Sequence, residues 1–338
     1  MSKIALNVMG GDFAPREMIT GAKFAADRGH EVILIGDQSA LELGMGEFET
    51  VVTTDNIAFD VSDPANAYRR SKDNPVRRAA ELVKSGVADG FVDCGNTAVT
   101  LTGATLTLGR IRGVSRPAIP VLLPRVGIID GQPSVERTLL LDAGANKESD
   151  ARMLAQFGVM GSLYMSLVEN IDSPRVGILS NGAEEEKGTA LVKEAHQSLA
   201  NLGRLGIINF IGNIEGSDLY DGGTDVAVTD GFSGNLILKS NEGIANMMSD
   251  YLVRAFGATN ETRAAQRIMM TRLAVLRNAL DPSMVGGALL LGVKGVAVIG
   301  HGSSTAEAVS RAIDQAAHAH QRDIVDRFSE MIVRAKDL

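Results

Sequence analysis

Three glycine-containing loops follow predicted strands, precede predicted helices and carry residue types that bind anions. They comprise Met9–Asp12, Gly95–Thr97 and His301–Ser304. Glycine lets a ligand approach the backbone, and free N–H groups at a helix start attract anions together with the helix dipole. Ser, Thr, Asn and Asp are also ordinary N-caps, and for any one loop that interpretation is favoured. Three such loops in one chain favour an oxyanion or phosphate pocket, whose candidate residues are Gly10, Gly11, Asp12, Gly95, Asn96, Thr97, Ser303 and Ser304.

Polar clusters also end four other predicted strands. They span Asp142–Asn146, Ser180–Gly188, Gly212–Gly216 and Thr229–Asn235. A carboxylate such as Asp142 or Asp230 at the end of a strand is often only a turn-former. Lys187, in a Glu-rich loop before a helix, would usually be a solvated surface charge. Taken singly, these clusters are weak indications of function.

Several kinds of chemistry are excluded by spacing. The sequence has no G-x-G-x-x-G after a strand, no G-x-x-x-x-G-K-[ST], no H-E-x-x-H and no G-x-S-x-G. A single Cys rules out a disulfide framework and a zinc site of several thiolates. That residue, Cys94, is either a nucleophile or, more often at the end of a buried strand, a small core hydrophobe. His301 is a candidate general acid or base, whereas the other four histidines are predicted on the surface or on helix faces.

The elements that must position these loops alternate along the chain. Predicted strands are Ile4–Met9, Glu31–Ile35, Gly90–Cys94, Ile119–Leu123, Thr138–Leu141, Arg175–Leu179, Ile207–Ile211, Asp225–Thr229 and Val296–Ile299. Helical patterns between them include Arg16–Asp27, Asn74–Lys84, Ala151–Val168 and Thr189–Leu202. This order predicts one α/β domain over residues 1–338, with a mostly parallel sheet covered by helices on both faces. The Pro-dense stretch 117–133 predicts a loop region around an edge or hairpin.

Composition restricts the class of partner. The chain has 338 residues, 33 basic and 41 acidic, for a net charge of −8. An acidic protein without Trp is a poor nucleic-acid binder, because binding requires Lys and Arg at phosphates and aromatic platforms for bases. No secretory signal or membrane-spanning run is evident, so a cytosolic protein is expected, with peripheral membrane contact left open.

One segment, residues 243–285, breaks the alternation and is predicted to be a helical protrusion. Two amphipathic patterns are separated near Gly257–Asn260, and five arginines face one acid, Glu261. The arginines are Arg254, Arg263, Arg267, Arg272 and Arg277. Two interpretations stay open: a helical hairpin packed on the body or on a second subunit, or a contact with an acidic partner or an anionic membrane surface.

The order of the motifs along the chain carries a family resemblance. Val8–Pro15, Gly95–Thr97, Arg116–Ala118, Leu141–Asn146, Glu184–Gly188, Phe210–Gly216, Val228–Asn235, Leu238–Gly243, Gly286–Val293 and His301–Ser304 occur in sequence. Together they resemble the acyl-carrier-protein:phosphate acyltransferases, the PlsX family of bacterial phospholipid synthesis. Ten ordered motifs spanning almost the whole chain are far more specific than any one of them.

The resemblance implies a reaction, a fold and partners. The family transfers a long acyl group from acyl carrier protein to inorganic phosphate, and the acyl phosphate feeds a membrane glycerol-3-phosphate acyltransferase. It implies a homodimer with no cofactor or metal, and a fold similar to the phosphotransacetylase and isocitrate/isopropylmalate dehydrogenase group. The helical protrusion would then serve membrane association, and the arginines would also suit docking of the acidic carrier protein.

The resemblance also implies roles for individual residues. Lys187 is the candidate to bind phosphate or polarise the thioester carbonyl, and Asp230 would orient it or manage a proton. His301 joins them as a catalytic candidate, and Asn146 and Asn235 as candidates for substrate binding. Two rivals stay open: a phosphotransacetylase-type enzyme that uses acyl-CoA, and a non-catalytic carrier-protein or membrane scaffold. A dehydrogenase is disfavoured, because neither a dinucleotide fingerprint nor a carboxylate cluster for a metal is visible.

Two departures from the family pattern concern one carboxylate. The family has Asp where this chain has Asn7, and a Ser-Ala-Gly-Asn-Thr-Gly loop where this chain reads Asp93–Ala98. If Asp93 points into the pocket it would repel phosphate. If Asp93 points into the body of the protein, the carboxylate gained at position 93 offsets the carboxylate lost at position 7. In the second case, a double variant, Asn7→Asp with Asp93→Ser, is expected to be more active than either single variant.

Overall fold

The strands form two sheets, each mostly parallel with one antiparallel edge strand. The computed structural model describes residues 1–336 apart from 45, 59, 130–131, 258, 260–261, 263 and 266–285. The first sheet has the order β10-β11-β4-β1-β2-β3 and the second β5-β6-β9-β7-β8. The strands are β1 Lys3–Asn7, β2 Glu31–Gly36, β3 Glu49–Val52, β4 Gly90–Asp93, β5 Val121–Ile129, β6 Gln132–Leu141, β7 Arg175–Leu179, β8 Asn209–Ile214, β9 Val226–Val228, β10 Gly287–Leu289 and β11 Val296–Gly300.

Helices connect the parallel strands, as the alternating pattern predicts. They are α1 Arg16–Asp27, α2 Gln38–Leu41, α3 Pro64–Arg70, α4 Pro75–Lys84, α5 Thr97–Gly103 (continued by a π-helix, Ala104–Leu108), α6 Ala151–Val168, α7 Ala190–Arg204, α8 Gly231–Gly257, α9 Ala306–Gln321 and α10 Ile324–Lys336. Side-chain caps set several starts: Asn74, Asp150 and Thr189 each accept a hydrogen bond from a backbone N–H in the first turn of the helix that follows.

Burial explains why several strands are apolar without alternation. Leu139–Leu141 in β6 and Val226–Val228 in β9 are completely buried. Leu139, Leu141, Val226 and Val228 pack in the cluster that contains Phe157 and Met160 of helix α6, whereas Leu140 and Ala227 pack in a separate cluster. Strands covered on both faces need apolar side chains at every position, so an uninterrupted run replaces the two-residue period.

The Pro-dense stretch, predicted to be a loop region around an edge or hairpin, is mostly strand: the predicted strands Ile119–Leu123 and Thr138–Leu141 are observed as the longer strands of a hairpin, Val121–Ile129 and Gln132–Leu141. Strands β5 and β6 pair antiparallel, from Val121 opposite Leu140 to Ile129 opposite Gln132. Strand β5 lies at the edge of its sheet, where Pro124, which lacks an N–H, is tolerated.

The topology of the first sheet predicts where a ligand binds. From β1 the chain moves outward to β2 and β3, and then returns to place β4 on the other side of β1. The carboxyl ends of β1, β4 and β11 lie side by side, since these strands are parallel. In open α/β sheets the crevice at such a change of direction is the usual ligand site.

The predicted helical protrusion is described only in part. Helix α8 begins at Gly231 rather than at Gly243 and runs without a break to Gly257, so it contains the first amphipathic pattern. Beyond its first turn this helix is largely exposed; Met247 and Tyr251 keep 64% and 71% of their surface. The second pattern, and with it the hairpin, lies outside the described residues. Among the helices in the described ranges, none is long and apolar enough to cross a membrane.

Candidate active site

The three predicted glycine loops converge at the carboxyl ends of β1, β4 and β11. A Cβ atom on Gly10 would lie 2.6 Å from the backbone nitrogen of Gly95. Gly11 has a positive φ of 104°, and a Cβ there would lie 3.0 Å from the carbonyl oxygen of Gly302. The backbone N–H of Asp12 donates to that same carbonyl at 2.7 Å. The loops therefore approach one another closely because glycine occupies their contact points.

A cleft of about 480 Å³, counting its open mouth, lies beside these loops. Its walls come from the loops after β1 and β4 and from residues 56–58 and 74–76. Gly10, Gly11, Gly95 and Asn96 line it, so four predicted phosphate-binding residues share one cavity. Its lining contains no Lys or Arg from the described residues. Among the described residues, therefore, this lining supplies no cation to balance a buried phosphate.

Asn7 and Asp93 tie two of the glycine loops together. The carboxamide Nδ2 of Asn7 donates to Asp93 Oδ1 at 2.7 Å, and Asn7 Oδ1 accepts from the backbone N–H of Met9 at 2.8 Å. Asp93 Oδ1 also accepts from the N–H of Gly95 at 3.0 Å, and Asp93 Oδ2 accepts from the hydroxyl of Thr100. Asp93 is completely buried, and burial raises the pKa of its carboxyl. Its carboxylate thus faces protein donors at the base of the cleft.

Cys94 is part of the core. Burial, and then the neighbouring Asp93, raise the pKa of its thiol to about 12. A Cβ on Gly300 would lie 2.4 Å from its sulfur, so strand β11 packs directly against it. A buried thiol that stays protonated is a poor nucleophile, and the prediction of a small core hydrophobe is confirmed.

The contacts of His301 determine which ring nitrogen carries the proton. Its Nδ1 accepts from the backbone N–H of Ser303 at 3.2 Å and lies 2.7 Å from the Ser303 hydroxyl. Because a backbone N–H can only donate, neutral His301 carries its proton on Nε2. The side chain is exposed, so this Nε2–H is available as a donor beside the Gly302 carbonyl that contacts Gly11 and Asp12.

The N-terminus of α9, which follows this loop, already holds protein oxygens. The N–H of Ala306 donates to the carboxylate of Glu17 at 2.7 Å, and Thr305 caps the N–H of Ala308. Ser304 is buried, and its hydroxyl oxygen accepts from the N–H of His301 at 3.1 Å. Ser304 thus stabilises the loop, and the Glu17 carboxylate occupies part of the position where an anion was predicted.

A second group of predicted residues surrounds the buried Asp142. Its two carboxylate oxygens accept from the backbone N–H groups of Ile119, Gly144, Ala145 and Asn146 and from the side chain of Asn146. Burial raises the pKa of this carboxyl, and the hydrogen bonds, led by that from Ala145, act in the opposite direction. Asn146 Nδ2 also donates to the carbonyl oxygen of Pro117 at 2.8 Å, so this carboxamide joins two segments of the protein.

Helix α8 starts against this group. Asp230 caps the helix through the N–H and hydroxyl of Ser233, at 2.9 and 2.8 Å. A Cβ on Gly144 would touch Asn235, which places this exposed side chain beside the Asp142 loop. Ala143 and Leu238 pack in the hydrophobic cluster that also contains Ala5 of β1 and Ile299 of β11. The glycine loops and the Asp142 loop are therefore supported by the same hydrophobic core.

Lys187 lies on a third loop, Ser180–Gly188, and its side chain is exposed. The loop is fixed from below: Asn213 Nδ2 donates to the carbonyl oxygen of Glu184 at 2.7 Å, and Asn213 Oδ1 lies 2.9 Å from Nδ1 of His196. His196, predicted on the surface or a helix face, is buried on a face of α7. The Gly212–Gly216 cluster was the only signal for Asn213. Within the described part of the chain, Lys187 makes no hydrogen bond or ion pair to the glycine loops or to the Asp142 loop.

The remaining predicted sites are only partly described. Arg254 is exposed near the end of α8. Arg263, Arg267, Arg272 and Arg277 lie outside the described residues, so the arginine surface stays a prediction. Among the described residues, no group of His, Cys, Asp or Glu is arranged to hold a metal ion.

Known proteins are similar to this chain along nearly its whole length. The family model "fatty acid synthesis protein" matches residues 2–327. A phosphate acyltransferase of Elusimicrobium minutum is 41% identical, over 99% of this chain and 97% of its own length. One from Desulforamulus reducens is 40% identical over 99% of both, and one from Staphylococcus aureus 37% over 98% of both.

Solved structures extend the likeness to the fold alone. A phosphotransacetylase from Streptococcus pyogenes aligns with a TM-score of 0.60 at 18% identity, over 95% of this chain and 94% of that one. The phosphotransacetylase EutD from Staphylococcus aureus aligns with a TM-score of 0.57 at 17% identity, with the same coverage. The predicted α/β class is confirmed, and the match over nearly the whole sequence shows that this chain belongs to the fatty acid synthesis protein family, together with phosphate acyltransferases.

Proposed function

We propose that this chain is a phosphate acyltransferase that moves a long acyl group from acyl carrier protein to inorganic phosphate. The observation that carries the proposal is the match of about 40% identity, along the full length, to phosphate acyltransferases. The convergence of the glycine loops of β1, β4 and β11 at the switch point of the sheet supports it. Acyl transfer to phosphate also requires no cofactor.

The reaction needs no nucleophilic side chain. A phosphate oxygen attacks the thioester carbonyl carbon, the tetrahedral oxyanion collapses, the C–S bond breaks, and the thiolate leaves and takes a proton. Phosphate is already an anionic nucleophile, so the protein must position it and stabilise the oxyanion. The buried, protonated Cys94 is consistent with a direct transfer that forms no acyl-enzyme.

Three side chains are assigned roles in this proposal. Lys187 binds phosphate or polarises the thioester carbonyl, because it is an exposed cation on a loop that Asn213 holds. His301 offers its Nε2–H to the oxyanion or the leaving sulfur, since Ser303 occupies Nδ1. Asp230 orients a substrate group or accepts a proton at the start of α8, beside Asn235. Gly10 and Gly11 allow the backbone to approach the reacting groups.

Partners and location form the finer part of the proposal. Acyl carrier protein is acidic and would bind the arginine surface, which Arg254 represents among the described residues. The exposed apolar side chains of α8 and the same arginines would favour an anionic membrane surface, near the membrane glycerol-3-phosphate acyltransferase that consumes the product. The active form would be a cytoplasmic or peripheral homodimer.

The test measures thiol release from palmitoyl-acyl carrier protein with and without inorganic phosphate, with hydroxylamine to trap acyl phosphate. We expect phosphate-dependent release, and Lys187→Ala should lower kcat/KM for phosphate about 100-fold or more. Lys193→Ala, an exposed lysine on the next helix, is the matched control and should change little.

Other outcomes identify the rivals. Faster reaction of palmitoyl-coenzyme A than of the carrier-bound thioester would favour a phosphotransacetylase-type enzyme. Carrier-protein binding without thiol release would contradict the enzyme and favour a scaffold. Equal losses for the two lysine variants would remove Lys187 from the site and leave the reaction itself in place.

A further inference from the structure

The loop that carries Lys187, Ser180–Gly188, lies at the same edge of the second sheet as Asp230. Strands β7 and β9 pair in parallel, with Ile178 opposite Val228. The first residue of the Lys187 loop and Asp230 each follow two residues later in the sequence. Because the carboxyl ends of parallel strands meet at one edge of a sheet, the contacts that fix this loop also fix where Lys187 stands relative to Asp230.

The side chain of Lys187 follows the conformation of its own loop. Its aliphatic stem passes over Gly182, where a Cβ would lie 2.8 Å from Cγ of Lys187. The loop is held from strand β8, because Asn213 Nδ2 donates to the carbonyl oxygen of Glu184 at 2.7 Å. A change in the orientation of Asn213 would release this hold and shift the backbone on which the lysine stem rests.

His196 fixes the orientation of Asn213. The carbonyl oxygen of Glu184 can only accept, so Asn213 must direct its amide nitrogen to it and its Oδ1 towards Nδ1 of His196, 2.9 Å away. Since Oδ1 also only accepts, neutral His196 carries its proton on Nδ1 and donates it, which is the opposite tautomer from that of His301. Both His196 and Asn213 are buried, so an unpaired Oδ1 would be costly.

The imidazole ring of His196 is itself held in place. It lies on helix α7 and packs edge-on against Phe210 of β8, with the ring centroids 5.1 Å apart and the planes at 81°. Its Nε2 lies 3.9 Å from Oε1 of Glu185, an exposed side chain of the loop. Ion pairs of exposed side chains contribute little. The hydrogen bond from Nδ1 to Asn213 is therefore the contact through which His196 acts on the loop.

We propose that His196 is a positioning residue for Lys187: its Nδ1–H holds Asn213, and Asn213 holds the Lys187 loop. The inference rests on the role proposed for Lys187 in acyl transfer. His196 is buried beneath the loop, so it acts through Asn213 rather than on the substrate.

Two substitutions of His196 separate this role from packing. His196→Asn places an amide donor near the position of Nδ1 but loses the ring, whereas His196→Phe keeps the ring and has no donor. His196→Phe should lower kcat/KM for phosphate about tenfold, and His196→Asn should retain more of it. A packing role alone would reverse that order. His318→Phe and His318→Asn, at an exposed histidine of α9, are the matched controls and should change little. An Asn variant no more active than the Phe variant would overturn the proposal.

A double variant tests whether His196 acts through Asn213. Asn213→Ala removes the contact with Glu184, so adding His196→Phe to it should cause little further loss of kcat/KM. Thermal unfolding is recorded to show that each variant is folded. A further loss as large as that of His196→Phe alone would show that the two residues act independently and would overturn the proposal.

Hydrogen exchange separates this proposal from the proposed reaction. The N–H of Lys187 donates to Glu184 at 3.0 Å and that of Gly188 donates to Oδ1 of Asn181 at 2.9 Å. In His196→Phe these amides should exchange about tenfold faster than in the unaltered protein. This faster exchange without acyl phosphate from any of the proteins would contradict the acyltransferase and retain the hold of His196 on the loop. Acyl phosphate formation by the unaltered protein, with unchanged exchange in His196→Phe, would retain the enzyme and overturn the inference.

Discussion

At the scale of the residue, one buried carboxylate joins the loops after β1 and β4. Asp93 accepts from Asn7, Gly95 and Thr100, and Asn7 in turn accepts from Met9. Removal of that carboxylate would leave several buried donors unpaired, at about 1–3 kcal/mol each. A second carboxylate at position 7 would meet the first at hydrogen-bonding distance, where two negative charges cannot both persist. We therefore expect the pair to need one carboxylate, which either position could supply.

The first prediction concerns an exchange of the carboxylate between positions 93 and 7. Asn7→Asp and Asp93→Ser should each lower acyl phosphate formation, the former by charge repulsion and the latter by loss of acceptors. The double variant returns one carboxylate to the same network and should be more active than either single variant. Steady-state kcat/KM for palmitoyl-acyl carrier protein is the measurement. Additive losses would show that the two positions act independently and would refute the compensation.

The pH dependence of the free energy of unfolding provides a control for that exchange. Burial raises the pKa of Asp93 above its ordinary value of 3.8. The folded state then binds more protons than the unfolded state between the two pKa values, so the stabilisation present below 3.8 is lost as pH rises through the raised pKa. Asp93→Ser should remove this decline. Urea unfolding of both proteins from acid to neutral pH measures the difference, and parallel curves would contradict it.

His301 permits a second prediction at the same scale. The N–H of Ser303 fixes the proton of the neutral ring on Nε2, so the reaction would use a donor at that position. His301→Gln, whose terminal amide also donates, should retain more kcat/KM for phosphate than His301→Ala, which should lose about 100-fold. His318→Ala alters an exposed histidine of α9 and serves as the control. Equal activity of the Gln and Ala variants would show that the donor is not used.

Residue types predicted part of the site, and long-range contacts determined the rest. The glycine loops were found because Gly, Asn and Ser follow strands, a local signal. The direction of Asp93 stayed open, because its partner Asn7 is 86 residues away in the sequence. The burial of His196 likewise depends on Asn213, on the neighbouring strand β8. The cleft could not be predicted, because residues 56–58 and 74–76 carry no motif and meet the loops only in the fold.

At the scale of the element, the start of α8 is fixed by two glycines. A Cβ on Gly234 would lie 1.9 Å from the carbonyl oxygen of Asp142, and one on Gly231 would lie 2.2 Å from that of Asn146. Helix α8 can therefore approach the Asp142 loop only because these positions lack side chains. The contact places Asp230 and Asn235 beside that loop.

For helix α8, the prediction compares the effect of close packing at Gly234 with the effect of intrinsic helix propensity. Alanine in a helix interior is more favourable than glycine by about 0.5–1 kcal/mol, so propensity alone would make Gly234→Ala stabilising. The close contact should reverse the sign and destabilise the protein by about 1–3 kcal/mol. Urea unfolding measures the change, and a gain in stability would show that α8 does not rest on this loop.

Gly243 in the same helix is the matched control. A Cβ there meets no atom within 4 Å. Gly243→Ala should therefore follow propensity and stabilise the protein by about 0.5–1 kcal/mol. Losses of equal size at both positions would indicate a general intolerance of α8 to alanine and would remove the packing argument.

Periodicity predicted elements better than it predicted their arrangement. Arg16–Asp27, Ala151–Val168 and Arg175–Leu179 were predicted with the observed bounds, because each is a long or strongly apolar run with clear ends. Strands β3 and β10 were missed, since they are short and stand at the sheet edges. The division of the strands into two sheets could not be predicted, because alternation along the chain does not specify which strands pair.

At the scale of the whole molecule, the exposed part of α8 contrasts with the rest of the surface. The chain carries a net charge of −8, which repels anionic lipids and an acidic carrier protein. Ile244, Met247 and Tyr251 are exposed along α8, with Arg254 near its end. Apolar side chains beside cations suit an anionic membrane surface, where each Arg near the headgroups contributes about 1 kcal/mol.

The last prediction tests whether charge placement or total charge controls this contact. Arg254→Glu with Arg263→Glu should abolish sedimentation with vesicles of phosphatidylglycerol and phosphatidylcholine. Arg152→Glu with Arg204→Glu lowers the net charge by the same amount at exposed positions outside α8, and should bind nearly as the unaltered protein does. Binding should weaken as salt rises, because exposed charges are screened within about 10 Å at 0.1 M ionic strength. Equal loss of vesicle binding in the two double variants would show that total charge alone is responsible. Binding to vesicles of pure phosphatidylcholine that does not change with salt concentration would assign the contact to the apolar residues of α8.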